Sequence, residues 1–226
     1  MGDAQPRTLQ VLITGFGPFT VRRGQADIDN ANSVPVNPSS ELIRLLPPTL
    51  TLPSGITVAL TRQPDLHVSY EGLKADVERL YAQQTWDLVV HCGAASRRPV
   101  INVELHARRA GYALPDTDGN YASTGEVFAT GTEGAEDRFD TFVDGKALVR
   151  HLEAVGWKGQ VRTSDNAGLY LCEWTYYAGL RQAALQARGT KVLFLHVPVE
   201  GGELAWTHKK ISECVEEVVR WCAEQL

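Results

Sequence analysis

The chain has 226 residues, 43% of them hydrophobic, enough for a real core in one large α/β domain or two small ones. A formal net charge of −5 argues against nucleic acid and against an anionic membrane surface as partners. No apolar run approaches about 20 residues, so nothing spans a bilayer, and Met1–Gln10 lacks the apolar stretch of a signal peptide.

Leu9–Ile13 reads as the first strand, followed by Thr14-Gly15-Phe16-Gly17-Pro18-Phe19. That loop resembles the start of a dinucleotide fingerprint, but the third glycine is missing and Pro18 removes an N–H. The alternative is a loop at a strand's carboxyl end, where ligands of open α/β sheets bind, with Phe16 and Phe19 walling a small apolar pocket. Equally, both rings plug the core. Asn37-Pro38 before Glu41–Leu46 has the form of an N-cap asparagine with proline at the first helical position.

Ile56–Leu60 and Asp87–His91 are further strands. Between them, Tyr70–Gln84 is a helix with apolar positions Leu73, Val77, Leu80 and Tyr81. Ile101–Leu105, Gln160–Thr163 and Lys191–Val197 complete the strand set. Gly145–Val155 and Leu169–Arg188 are helical, and a last helix aligns Ile211, Val215, Val218, Val219 and Cys222 on one stripe. Several strands are continuously apolar, as strands covered on both faces are. The alternation predicts an α/β layered fold with a largely parallel sheet. No linker divides the chain, which reads as one catalytic domain over residues 1–226.

The one compositional break is residues 115–144, with eight acidic residues against Arg138 alone, and with Gly119, Gly125, Gly131 and Gly134. It reads as a long, mobile surface loop or lid rather than a core element.

Of the four cysteines (Cys92, Cys172, Cys214, Cys222) none form a C-x-x-C pair, which sets aside a zinc knuckle or a thioredoxin motif. Cys214 and Cys222 lie roughly 12 Å apart on one helix at about 1.5 Å rise per residue, too far for a disulfide. The thiols read as reduced and the protein as cytoplasmic.

Cys172 follows Ser164-Asp165-Asn166-Ala167-Gly168-Leu169-Tyr170-Leu171, a strand end, a polar turn and a helix start. A helix N-terminus lowers a thiol's pKa and offers N–H groups to an oxyanion. His196 ends the run Val192–Leu195 and precedes Val197-Pro198, which places it at a sheet edge. Thiol and imidazole are the two halves of a cysteine nucleophile with its base. Taken singly, each is more often a core residue.

Glu104 lies on an otherwise apolar strand, where a carboxylate needs a partner. It would orient an imidazolium as the third member of a triad does, or form a structural ion pair with Arg108 or Arg109. By period two, Asn102, Glu104 and His106 share a face, so His106 is a rival base. His67, His91, His151 and His208 are given no role.

Together these segments resemble pyroglutamyl-peptidase I, a family of cysteine peptidases. The resemblance rests on residues 11–19, 36–40, His91-Cys92-Gly93, Val103-Glu104, 164–172 and 194–198, in the family's order over most of the chain. The tract from Cys172 to Tyr177 looks more like the eukaryotic branch. Where many bacterial members have Gly-Gln-Ala, this chain has Gly93-Ala94-Ala95. Where they have Asp-Ala-Arg-Ile-Pro, it has Gly111–Asp116 with no arginine.

The resemblance implies a three-layer α/β/α sandwich around a mostly parallel (mixed) sheet, and a Glu104–Cys172–His196 triad that removes N-terminal pyroglutamate from peptides without metal or cofactor. It also implies Phe16 and Phe19 against the lactam ring and Tyr170 at a third pocket position. A monomer is favoured, a homo-oligomer possible. The rivals are a purine-nucleoside-phosphorylase-like enzyme, which would draw its phosphate site from Arg97, Arg98, Arg108 and Arg109, and a pyroglutamyl-peptide-binding homologue without turnover.

Overall fold

A computed structural model describes residues 7–19, 36–95, 97–128 and 132–226. Gly131, counted above in the acidic segment, lies outside them. Nine strands and five helices are described. The strands are β1 (Thr8–Phe16), β2 (Thr49–Thr51), β3 (Thr57–Leu66), β4 (Leu88–Ala94), β5 (Ile101–Glu104), β6 (His106–Arg108), β7 (Arg138–Asp140), β8 (Val161–Ser164) and β9 (Lys191–Val197). The helices are α1 (Pro38–Leu45), α2 (Tyr70–Gln83), α3 (Gly145–Leu152), α4 (Leu171–Gln186) and α5 (His208–Glu224).

Seven strands form one mixed sheet in the order β2-β3-β1-β4-β9-β5-β8. The central strands β3, β1, β4 and β9 are parallel, while β2 and β5 run against their neighbours β3 and β9. One face buries Leu9, Val11, Ile13, Val90 and Leu195 under α1, α3 and α5. The other buries Leu12, Val89, Val192 and Phe194 under α2 and α4. This is the predicted three-layer arrangement, with period-two strands feeding two cores.

Helix ends follow local chemistry. The Asn37 side chain accepts from the Ser39 N–H, and Pro38 opens α1, as the sequence indicates. Asn37 also donates to the Gly17 carbonyl and Ser39 Oγ accepts from the Phe16 N–H, so α1 is tied to the loop after β1. Gly15 permits this approach, because a side chain there would overlap the Ser39 carbonyl. Helix α4 is buried nearly all round, packed against β4 and β9 of the main sheet, against α2 and against the separate β6–β7 ribbon.

Three expectations are corrected. The strand at 101–106 breaks at Leu105, and His106 begins β6 opposite Asp140, so it does not continue the face of Glu104. The ribbon is hard to read from sequence because three-residue strands carry almost no periodicity. The acidic segment is not wholly a solvated loop: it supplies β7, buries Val127 and Val143, and holds Asp116 at 1% exposure. Asp116 accepts from the backbone N–H groups of Tyr70, Asp118 and Asn120, which satisfies its buried charge. Finally, α4 starts at Leu171 rather than Leu169, because Gly168 (φ 103°) and Leu169 (φ 49°) take left-handed backbone.

Candidate active site

The carboxyl ends of β1, β4 and β9 lie side by side, where open α/β sheets bind ligands. In register, Gly93 of β4 pairs with His196 of β9, and Asn102 of β5 pairs with His196 from the other side. Paired residues point to the same face, so Gly93, Phe194 and His196 all face α4. His196 is 3% exposed, and its ring lies 4.9 Å from that of Phe194.

Glu104 ends β5 and is fully buried. Its Oε1 lies 2.7 Å from His196 Nδ1. That bond fixes the ring's orientation and leaves Nε2 as the nitrogen available for proton transfer. The same oxygen accepts from Arg98 Nη1 at 2.6 Å, while Glu104 Oε2 has no hydrogen-bond partner among the described residues. The ion-pair partner of Glu104 is therefore Arg98 and neither of the expected arginines. Arg108 is committed to Glu173, and Arg109 to Glu126 and Asp137.

Cys172 is the second residue of α4 and is half-buried. A methyl group built on Gly93 would lie 2.7 Å from Cys172 Sγ and 2.9 Å from Phe194 Cζ. The sulphur therefore rests directly over the strand partner of His196. No side chain caps the start of α4. The other three thiols are buried, and burial pushes each of them up, Cys222 to about 12, which leaves them inert.

The turn that delivers Cys172 is itself held by charge. Glu173, fully buried, accepts from the Leu169 N–H, the Arg108 N–H and the Arg108 guanidinium at 2.7–3.0 Å. Burial pushes its carboxyl up, but the Arg108 hydrogen bonds and the two backbone donors outweigh it and hold it below the usual carboxylate range. These bonds oppose the cost of a left-handed leucine at 169, of order 1–3 kcal/mol.

Phe16 is 3% exposed, with its ring 6.4 Å from Phe194, so it plugs the core beside the site rather than standing exposed. Phe19 is partly buried against the same cluster. Tyr170 caps α4, is partly buried, and donates its hydroxyl to the Pro115 carbonyl at 3.1 Å. Burial first, then Tyr70, Asp116 and Cys172, pushes its phenol up, so it stays a neutral donor.

Among the histidines set aside, His91 is fully buried with Nδ1 2.7 Å from Thr14 Oγ1, and burial pushes it down to about 3. It is a neutral core residue. Arg98 and the Arg108–Glu173 pair were not singled out for the site by sequence. A buried carboxylate signals the need for a cation, but for Glu104 the sequence pointed to Arg108 or Arg109 and not to Arg98.

A sheet edge carrying a Glu–His pair, beside a thiol at a helix start, is the equipment of a cysteine-type hydrolase. The pyroglutamyl peptidase family model matches residues 9–223, and the chain belongs to that family. It is 31% identical over 213 residues to a pyrrolidone-carboxylate peptidase of Thermococcus onnurineus, covering 94% of each chain. To the pyroglutamyl-peptidase 1 of Mus musculus it is 29% identical, covering 87% of this chain and 82% of the mouse protein. The pyrrolidone carboxyl peptidase structure from Fervidobacterium islandicum superposes with a TM-score of 0.76 at 25% identity, covering 96% of this chain and 99% of the other. A mutant pyrrolidone carboxyl peptidase from Pyrococcus furiosus, at 21% identity and TM-score 0.77, shares the fold. Archaeal and mammalian relatives match to similar degrees, so identity does not place the chain in one branch.

Proposed function

We propose that this chain hydrolyses the bond after an N-terminal pyroglutamyl residue of a peptide, with Cys172 as nucleophile, His196 as general base and acid, and Glu104 as the partner of the imidazole. The observation that carries this reading is the seating of the Cys172 sulphur over Gly93, the register partner of a histidine whose Nδ1 is held by a buried carboxylate. Three of the four arginines named for a phosphate site, Arg98, Arg108 and Arg109, are bound to carboxylates, which counts against the phosphorylase alternative.

In this mechanism His196 Nε2 takes the thiol proton as sulphur attacks the pyroglutamyl carbonyl carbon. The N–H groups at the start of α4 hold the oxyanion. His196 then protonates the leaving amine, a thioester remains on Cys172, and water hydrolyses it with His196 again as base. Pyroglutamate is a neutral lactam without a free α-amine, so an acidic anchor has nothing to grip. An apolar slot suits it, which Phe19 and Tyr170 would line beside the buried ring of Phe16. The whole chain acts as one catalytic domain. On this reading it works in the cytoplasm, in keeping with thiols that form no disulfide, with a monomer favoured over a homo-oligomer.

The test is release of aminocoumarin from pyroglutamyl-aminomethylcoumarin. Turnover is expected on this compound and not on the glutamyl or alanyl analogues; equal rates on all three would overturn the specificity. Iodoacetamide is expected to abolish turnover with a single alkylation, at Cys172.

Gly93→Ala probes the seat of the sulphur. The added methyl must displace either Cys172 Sγ or the Phe194 ring, at a stability cost of about 1–3 kcal/mol. Turnover is expected to fall on the order of 10²-fold, the scale of a 1 Å misplacement. Full activity in a folded Gly93→Ala protein would show that the sulphur works from another position.

A further inference from the structure

We infer that Arg98 is a positioning residue that locks the two halves of this site into one frame; the inference rests on the triad reading above. The histidine and glutamate ride on strands β9 and β5, whereas the thiol rides on α4 at the end of the turn 165–170. Those elements need a tie if sulphur and imidazole are to keep one geometry. Arg98, in the loop between β4 and β5, supplies it.

One nitrogen of its guanidinium, Nη1, donates to Glu104 Oε1 at 2.6 Å and to Ser164 Oγ at 3.1 Å. The other, Nη2, donates to the Asn166 carbonyl in the turn that leads to Cys172. Asn166 in turn accepts from Arg108 Nη2 at 2.7 Å and from the Gly168 N–H at 3.1 Å through its side-chain oxygen. Arg108 runs on to Glu173 in the first turn of α4. An unbroken polar chain therefore links His196, Glu104, Arg98, Asn166, Arg108 and Glu173.

The placement has a second consequence. Arg98 and His196 share Glu104 Oε1, and Oε2 is left without a partner among the described residues. The guanidinium thus pulls the carboxylate into the rotamer that presents Oε1 to the imidazole. A planar fork is needed, because one group must reach a carboxylate, a hydroxyl and a backbone carbonyl in fixed directions. A lysine ammonium can satisfy the charge but not the fork.

The experiment compares wild type, Arg98→Ala and Arg98→Lys on pyroglutamyl-aminomethylcoumarin, with Cys172→Ala as reference. Arg98→Ala is expected to lose kcat on the order of 10–100-fold, with KM changed by less than about threefold, since Arg98 holds catalytic groups and not the substrate. Arg98→Lys is expected to recover only part of that loss. Guanidinium ion at millimolar, non-denaturing concentration is expected to raise kcat of Arg98→Ala several-fold and to leave wild type unchanged. Should Arg98→Ala fail to fold, Arg98→Lys carries the test through its kcat. Wild-type kcat in either folded variant, or a loss in Arg98→Ala that guanidinium does not relieve, would overturn the assignment. Turnover by Cys172→Ala would instead overturn the triad itself, so the two failures are told apart.

Discussion

Replacing Cys172 by alanine is expected to leave a folded protein with no measurable turnover on pyroglutamyl-aminomethylcoumarin. The side chain lost is small and half-buried, so the stability change should stay near 1 kcal/mol. Turnover should fall by the full contribution of covalent catalysis, on the order of 10⁴-fold or more, because no second thiol can stand in. Cys92 is the nearest in sequence to the sulphur's seat, but it is fully buried and its side chain belongs to the opposite core. His196→Ala should match the loss, and the double variant should be no worse than either single one, since nucleophile and base act as a unit. Circular dichroism and a thermal midpoint check folding, and mass spectrometry after iodoacetamide checks that the variant takes up no label. Residual turnover in Cys172→Ala above a thousandth of wild type would remove the thiol from the mechanism.

Much of this arrangement was legible in the chain because the elements that carry it are long and regular. The runs that became β1, β4 and β9 are apolar on both faces, as only central strands are, and each carries a site residue near its carboxyl end: Phe16, Gly93 and His196. The stripe from Ile211 to Cys222 is wholly buried in α5. The Asn37-Pro38 start of α1 is local chemistry, readable wherever it occurs.

What stayed hidden depends on contacts distant in sequence. The choice of Arg98 over Arg108 and Arg109 as partner of Glu104 is decided by where the β4–β5 loop crosses the sheet. The break at Leu105 is likewise decided by β7, more than thirty residues later, which draws His106–Arg108 away into a ribbon. The start of α4 was misplaced by two residues because its lead-in is held by Glu173 and Arg108 instead of an N-cap side chain. The burial of Phe16 follows from its neighbour Phe194 on a strand nearly 180 residues away.

Glu104→Gln should cost less than loss of the thiol but still on the order of 10²–10⁴ in kcat, the range seen when the third member of a comparable triad loses its charge. The amide oxygen can still accept from Nδ1, so the ring need not move. Two things are lost instead. The charge that balances an imidazolium during proton transfer is gone, and Arg98, with its side chain only 22% exposed, is left facing a neutral group. The amide can also turn its NH₂ towards Nδ1, which would favour the other tautomer and occupy Nε2 with the proton. Glu104→Asp keeps the charge but withdraws it by about one bond length, so it separates charge from reach. Activity in Glu104→Asp above that of Glu104→Gln would mean that charge dominates, and the reverse order would mean that the position of the acceptor does. Wild-type kcat in Glu104→Gln would show that packing against Phe194, 4.9 Å between ring centres, orients His196 by itself, and the carboxylate would then be a structural partner of Arg98 alone.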